Sequence, residues 1–238
     1  MSEKPFQFKQ FSVLQEKAAM KVGTDGVLLG AWAKINENVF SILDIGAGTG
    51  LIGLMMAQRS NAEVIDAIEL HDEAYEQTVE NFELSDWGDR LFCYHASFQE
   101  FVEEIEDEYD LIISNPPFYT STYKELPEER AMARHSESLT YADLLSGTAK
   151  LLSKIGTCAF IIPFTEEENF IKIANENGLY LNRVTRVKGT LEAPIKRSLM
   201  QFSFSKIEIE ETDLIIEIER HKYTEEYKNL VQDFYIKM

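Results

Sequence analysis

The chain has 238 residues, 45% of them hydrophobic, a formal net charge of −18 and two cysteines. That length and apolar content suit one large domain with short appendages, and no internal repeat, Pro/Gly/Ser linker or low-complexity tract suggests a disordered or fibrous chain. The first twenty residues carry charges and no long apolar segment, so neither a signal peptide nor a membrane span is expected; Cys93 and Cys158, inside apolar runs, fit buried free thiols in a reducing cytoplasm rather than disulfides or a zinc site.

In chain order, an N-terminal arm over 1–38 precedes strand-like runs at 39–45, 63–68, 91–95, 109–114, 156–162, 179–187 and 198–205. Helical patterns fall at 50–59, 72–84, 141–152 and 166–175, and Val27-Leu28-Leu29 with Trp32 read as the buried face of a short helix with Thr24 or Asp25 as its N-cap. Strand–helix alternation predicts an α/β fold: a seven-stranded, mostly parallel, doubly wound sheet covered on both faces. No convincing helix separates the last two strands, so a hairpin is expected there, with the last strand antiparallel. Residues 39–206 form the expected main domain, and 207–238 an extension packed on it, read as a final strand and helix.

The first strand ends in Leu43-Asp44-Ile45-Gly46-Ala47-Gly48-Thr49-Gly50. Glycines there permit positive φ and a close ligand approach, and the helix that follows offers unpaired N–H groups. The spacing is Gly-x-Gly-x-Gly rather than the Gly-x-Gly-x-x-Gly of dinucleotide binding, which points away from a nicotinamide oxidoreductase. With an acid before the glycines, the turn suits the amino-acid end of S-adenosylmethionine, which carries an ammonium as well as a carboxylate. Glu69 ends the second strand, where a carboxylate accepts ribose hydroxyls in doubly wound sheets.

Asn115-Pro116-Pro117-Phe118 ends the fourth strand. An exocyclic amine has its lone pair delocalised into the ring, so it must be gripped by acceptors before it attacks. The Asn115 side-chain oxygen and the Pro116 carbonyl are candidates for its two N–H groups, the Pro pair stiffens the turn, and Phe118 offers a flat face for stacking. These positions all fall at carboxyl ends of strands, where ligands gather in such sheets.

The chain resembles class I S-adenosylmethionine-dependent methyltransferases, and more closely the bacterial family that methylates N6 of the adenine beside the anticodon of a valine tRNA. The resemblance rests on Phe8-Lys9-Gln10-Phe11, the segment from Met20 to Trp32, Asp44 to Gly50, Asn115 to Phe118 and Ala133-Arg134-His135. It implies a class I methyltransferase sheet, S-adenosylmethionine as cofactor, a tRNA substrate, and a segment containing Gly23, Thr24 and Asp25 that closes over the donor. Ser97, after the third strand, stands where an acid or polar substitute often reaches the donor adenine. The cofactor set is thus Gly23, Thr24, Asp25, Asp44, Gly46, Gly48, Gly50, Glu69, Ser97 and Asn115; no metal or membrane contact is expected. Arg134, His135, Lys196 and Arg197 are candidate RNA contacts. The same acceptor motif also serves glutamine N5 in proteins and guanine N2 in ribosomal RNA, and a non-catalytic cofactor-binding subunit is the remaining alternative.

The charge of −18 opposes phosphate binding. Arg183, Arg186, Lys188, Lys196, Arg197 and Lys206 against the single Glu192 make a local excess of five positive charges, with Lys4, Lys9, Lys17 and Lys21 on the arm, while acid gathers in 100–110 and after Glu208. A basic rim around the crevice, with an acidic far side, is the distribution expected from this pattern.

Overall fold

A computed structural model describes residues 4–18, 20–116 and 139–237. The arm folds into a two-stranded hairpin, β1 (Phe6–Gln7) against β2 (Ser12–Val13), followed by helix α1 (Thr24–Trp32). Then come β3 (Ser41–Ile45), α2 (Leu51–Arg59), β4 (Val64–Glu69), α3 (Asp72–Glu83), β5 (Leu91–His95), α4 (Phe98–Glu104) and β6 (Tyr109–Ser114). The second half holds α5 (Tyr141–Leu151), β7 (Leu152–Pro163), α6 (Glu167–Glu176), β8 (Tyr180–Thr190), β9 (Ile195–Ser203), β10 (Glu210–Glu219), β11 (Lys222–Tyr223) and α7 (Glu225–Val231).

The main sheet has nine strands rather than seven, in the order β11-β10-β8-β9-β7-β6-β3-β4-β5. The seven expected strands are β3 to β9; β10 and β11 come from the acidic tail and extend the edge beyond β8. The expected hairpin is β8–β9, and β9 runs antiparallel to both neighbours from inside the sheet, between β7 and β8. Because β8 is therefore parallel to β7, and β10 is parallel to β8, the carboxyl ends of β3 to β8 and β10 all lie along one edge.

Both faces are covered, which explains the continuous apolar runs in the central strands. Ile42, Ile65, Leu111, Ile113 and Ala159 pack with α1, α2, Phe82 of α3 and Phe234 of the tail. Leu43, Ile45, Ile112, Cys158 and Phe160 face α4, α5 and α6 on the other side. Strand β7 starts four residues earlier than expected because it bulges against β6, Tyr109 pairing with Leu152 and Leu111 with Thr157. Gly156 belongs in that bulge: an added Cβ would stand 2.9 Å from the Tyr109 carbonyl oxygen.

Two local readings are corrected. Helix α1 is capped by Gly23, without a side-chain cap, so Thr24 and Asp25 lie in its first turn. Helix α4 was absent from the sequence reading. Its start is a capping box in which Ser97 Oγ accepts from Glu100 N and the Glu100 carboxylate accepts from Ser97 N, at 3.2 and 3.0 Å.

The basic band is also rearranged by the topology. Strand β10 lies beside β8 with Glu210 opposite Arg183 and Asp213 opposite Arg186. Arg183 pairs with Glu210 at 3.2 Å, donates to the Trp32 carbonyl and stands 4.3 Å from the Trp32 ring centre. Arg186 forks onto Glu167, reaching it at 2.7 Å, and meets Glu211 at 3.0 Å. The Glu167 carboxylate, 7% exposed, also accepts from Ser198 Oγ. Arg197 pairs with Asp25 at 2.7 Å, and Lys206 lies over the Tyr180 ring. The acidic tail thus sits against the arginines instead of on a far side.

Glu167 joins α6 to β8 and β9 through one buried carboxylate. Glu167→Ala should cost about 1–3 kcal/mol, because the buried Ser198 hydroxyl loses its acceptor while the partly solvated Arg186 keeps Glu211. Chemical denaturation of the variant checks this, and a loss below about 1 kcal/mol would contradict the assignment.

Candidate active site

Parallel register lines up the ends of four strands. Ile45 is opposite Ile68 and Ser114, and Glu69 is opposite His95. One residue further on, Gly46 therefore lies between Glu69 and Asn115, with neighbouring backbones about 5 Å apart. The Ser114 hydroxyl donates to the Ile45 carbonyl at 2.7 Å, fixing β6 to β3 at the point where both chains leave the sheet.

The glycine turn requires its glycines. Gly46, Gly48 and Gly50 have φ of +76°, +61° and +75°, values that L side chains adopt only with strain. Gly46 N and Ala47 N donate to the Ile68 carbonyl, and Gly50 N to the Ala47 carbonyl, so the turn is fully tied at its base. An added Cβ at Gly46 or Gly48 would meet nothing within 4 Å, whereas at Gly50 it would stand 2.7 Å from the Phe82 ring. The first two glycines therefore border open space, and the third allows close packing against α3.

Glu69, 6% exposed, accepts from Gly48 N at 2.8 Å with one oxygen and from His71 N at 2.9 Å with the other. Each oxygen keeps a lone pair for a further donor. Asp44 is fully buried; its Oδ2 accepts from Gly53 N at 3.1 Å and its Oδ1 has no partner. Burial first, then the nearby Glu69 charge, pushes the Asp44 carboxyl up to about 7 against the pull of the Gly53 hydrogen bond. The Asn115 side-chain oxygen is likewise buried and unpaired, beside the buried Pro116. Two buried acceptors without a protein partner, at the end of β3 and after β6, beside a turn with an open side would suit a donor-rich, positively charged ligand.

Helix α1 packs near this turn. A Cβ at Gly26 would lie 3.1 Å from the Leu51 side chain, so the starts of α1 and α2 are adjacent, while Thr24 faces the ends of β8 and β10. Gly23 and Thr24 are exposed, and Asp25 is held by Arg197. Lys196 is exposed and forms no ion pair among the described residues. Ser97 is near the row, but its hydroxyl caps α4. Pro117, Phe118, Arg134 and His135 lie outside the described residues.

Three residues of α3 were missed in the sequence. Asn81 Nδ2 donates to the Thr49 and Leu14 carbonyls, both at 2.8 Å, while its oxygen accepts from Leu14 N. Thr78 donates to the Gly48 carbonyl, and Gln77 accepts from Lys17 N. These side chains fasten the arm and the glycine turn to one helix. An uncharged polar trio at one-turn spacing within an acidic helix was the available signal. Cys93, behind the turn, has its thiol raised to about 12, chiefly by burial, in keeping with an unreactive group.

A family described as the methyltransferase small domain matches residues 23–140. The chain is 59% identical over 240 residues to the tRNA1(Val) (adenine(37)-N6)-methyltransferase of Christiangramia forsetii, covering all of both chains. A protein of the same name from Flavobacterium johnsoniae is 58% identical over 234 residues, covering 98% of this chain and all of its own. Among solved structures, a protein from Agrobacterium tumefaciens described as a predicted O-methyltransferase aligns with a TM-score of 0.69 at 19% identity, over 88% of this chain and 96% of that one. That last likeness concerns the fold alone. The full-length identities, joined to the glycine turn and the Asn-Pro-Pro-Phe site, mean that the chain belongs to the tRNA1(Val) (adenine(37)-N6)-methyltransferase family.

Proposed function

We propose that this enzyme transfers a methyl group from S-adenosylmethionine to N6 of an adenine in tRNA, at position 37 beside the anticodon of tRNA(Val), as the names of its full-length relatives describe for them. The observation that carries the reading is the register that sets Asn115, with its buried unpaired oxygen, next to Gly46 of the open glycine turn. No helix among the described residues is long and apolar enough to cross a membrane, and a cytoplasmic site of action accords with the substrate.

The residues fit the donor. Asp44 and the glycine turn suit its ammonium and carboxylate, Glu69 its ribose, and Gly23 to Asp25 close over the methionine part. Bound there, its sulfonium supplies an electrophilic methyl. Asn115 Oδ1 and the Pro116 carbonyl accept the two N6 hydrogens, so the amine nitrogen leaves the plane of its ring and presents its lone pair. N6 would take up the methyl group while the bonding pair stays on the donor sulfur, and N6 would lose one proton to water. No dedicated base is needed. Phe118 is assigned to stacking on the extruded base, and Arg134, His135, Lys196 and Arg197 to the RNA. Residues 1–38 serve as arm and closing segment, 39–206 as the methyltransferase domain and 207–238 as an extension of it.

Incubation with labelled donor and either unmodified tRNA, ribosomal RNA or release factor tests the substrate; label recovered as N6-methyladenosine from tRNA is expected, and methylated glutamine or guanine would overturn the assignment. Asn115→Ala should lower kcat by about 10²–10³-fold, the loss expected of a preorganised polar contact, with donor Kd held within a few-fold. Donor binding should also be proton-linked. An ammonium beside Asp44 favours the carboxylate, so a carboxyl titrating near 7 releases a proton on binding at pH 6–7 and none near pH 9. Titration calorimetry in buffers of different ionisation enthalpy reads this release, which Asp44→Asn should abolish; buffer-independent heats for the native enzyme at pH 6.5 would remove Asp44 from the ammonium site.

A further inference from the structure

A cavity of about 410 Å³ opens beside the ends of β8 and β10. Its walls include Thr24, Gly189, Glu217, Tyr223, Tyr235 and Lys237. Gly189 is next to last in β8 and Glu217 is near the end of β10, so the cavity lies on the same edge of the sheet as Asn115. Its walls are three to four strands away from β6, a lateral distance of about 14–19 Å at roughly 4.8 Å per strand. It is therefore separate from the donor crevice. Thr24 connects the two, since it precedes Asp25, whose carboxylate holds Arg197 at the start of β9.

The chemistry of the walls is specific. Tyr223 and Tyr227 have ring centres 5.3 Å apart, and Tyr235 adds a third phenol. Glu217 is half-buried, with one oxygen accepting from His221 N at 3.2 Å and the other open to a donor. Lys237 brings a cation to the rim. The floor at Gly189 is bare: a Cβ there would meet nothing within 4 Å. Flat aromatic walls, one carboxylate acceptor and one cation are matched by a planar ring with N–H groups on its edge and a phosphate at its side. The volume falls in the roughly 300–1,000 Å³ range of pockets that enclose small ligands. Proteins that read single-stranded RNA loops hold splayed bases in this manner, by aromatic stacking and edge hydrogen bonds.

We propose that this cavity receives a second unstacked base of the substrate RNA, packed against the tyrosine cluster with its N–H edge on Glu217, while the target adenine occupies the Asn115 site. The inference rests on RNA being the substrate. It also supplies affinity by stacking where the arginines are already paired with acids, so binding should depend only weakly on salt.

Gly189→Leu fills the cavity from its bare floor, and Tyr223→Ala removes one wall. Steady-state kinetics with a tRNA transcript should show KM for RNA raised roughly 5- to 150-fold in each, the range of a lost base–aromatic stack. Donor Kd, thermal midpoint and kcat at saturating RNA should stay near native values, and Tyr223→Trp should restore KM. Among transcripts with single abasic sites in the anticodon loop, one that weakens binding to the native enzyme should make no difference to Gly189→Leu. Native RNA kinetics in both variants would overturn the proposal, as would a loss of donor binding parallel to the loss of RNA. Native enzyme that methylates release factor and no RNA would instead sink the assigned substrate, and the second-base site with it.

Discussion

The Glu69 carboxylate is the tie on which the crevice depends. It reaches from the end of β4 to Gly48 N in the turn after β3, and its other oxygen holds His71 N at the start of α3. A turn with three glycines at positive φ has little stiffness of its own, because those residues have the most backbone freedom to lose. Glu69 on one side, with Thr78 and Asn81 on the other, makes up that deficit. The same carboxylate acts through space on Asp44, helping to keep that buried acid protonated until near neutrality. Glu69 thus supports the turn and adds to what the burial of Asp44 itself begins.

Charge is the second organising constraint. A chain with a net charge of −18 has to place its arginines where they offset carboxylates, and β10 does this by lying parallel to β8. Arg183, Arg186 and Arg197 each spend their guanidinium on an acid of the same molecule. Two of these pairs also locate α1: Arg183 stacks on Trp32 at its end, and Arg197 holds Asp25 at its start. Trp32 Nε1 adds a 2.7 Å bond to Thr185 of β8. Arg183 and Arg197, part of the basic band in the linear sequence, are therefore fastenings of α1, and Arg186 is a fastening of α6. Lys196 remains exposed at the same edge as the crevice.

What the sequence made legible follows from the range of each signal. The central strand Tyr109–Ser114 was bounded as found, because a buried strand advertises itself by local apolar continuity, and the edge strand Leu91–His95 was bounded as found although only Leu91 of it is buried. The turn from Asp44 to Gly50 and the position of Glu69 were readable because loop and acid sit at fixed distances from those runs. Helix α4 was hidden by its acids, although Ser97-x-x-Glu100 announces its start. The bulge at Gly156 and the pairing of β10 with β8 were not readable, since both depend on register between segments distant in the chain. The same holds for the arginine partners. Long-range contacts leave no periodic trace in either segment.

The arm and tail illustrate the point and carry it further. Phe8 forms a backbone bridge with Tyr235, Lys9 N donates to the Phe234 carbonyl, and the rings of Phe8 and Tyr235 lie 5.7 Å apart. Beyond this clasp the arm runs to Leu14 and Lys17, where Asn81 and Gln77 hold it over the glycine turn. The arm and the tail are thus stitched to each other and, through α3, to the glycine turn. Tyr235 is at once a partner of the arm and a wall of the tyrosine cavity. Displacing that ring would bear on the arm that carries Leu14, so the glycine turn and the tyrosine cavity share one mechanical support.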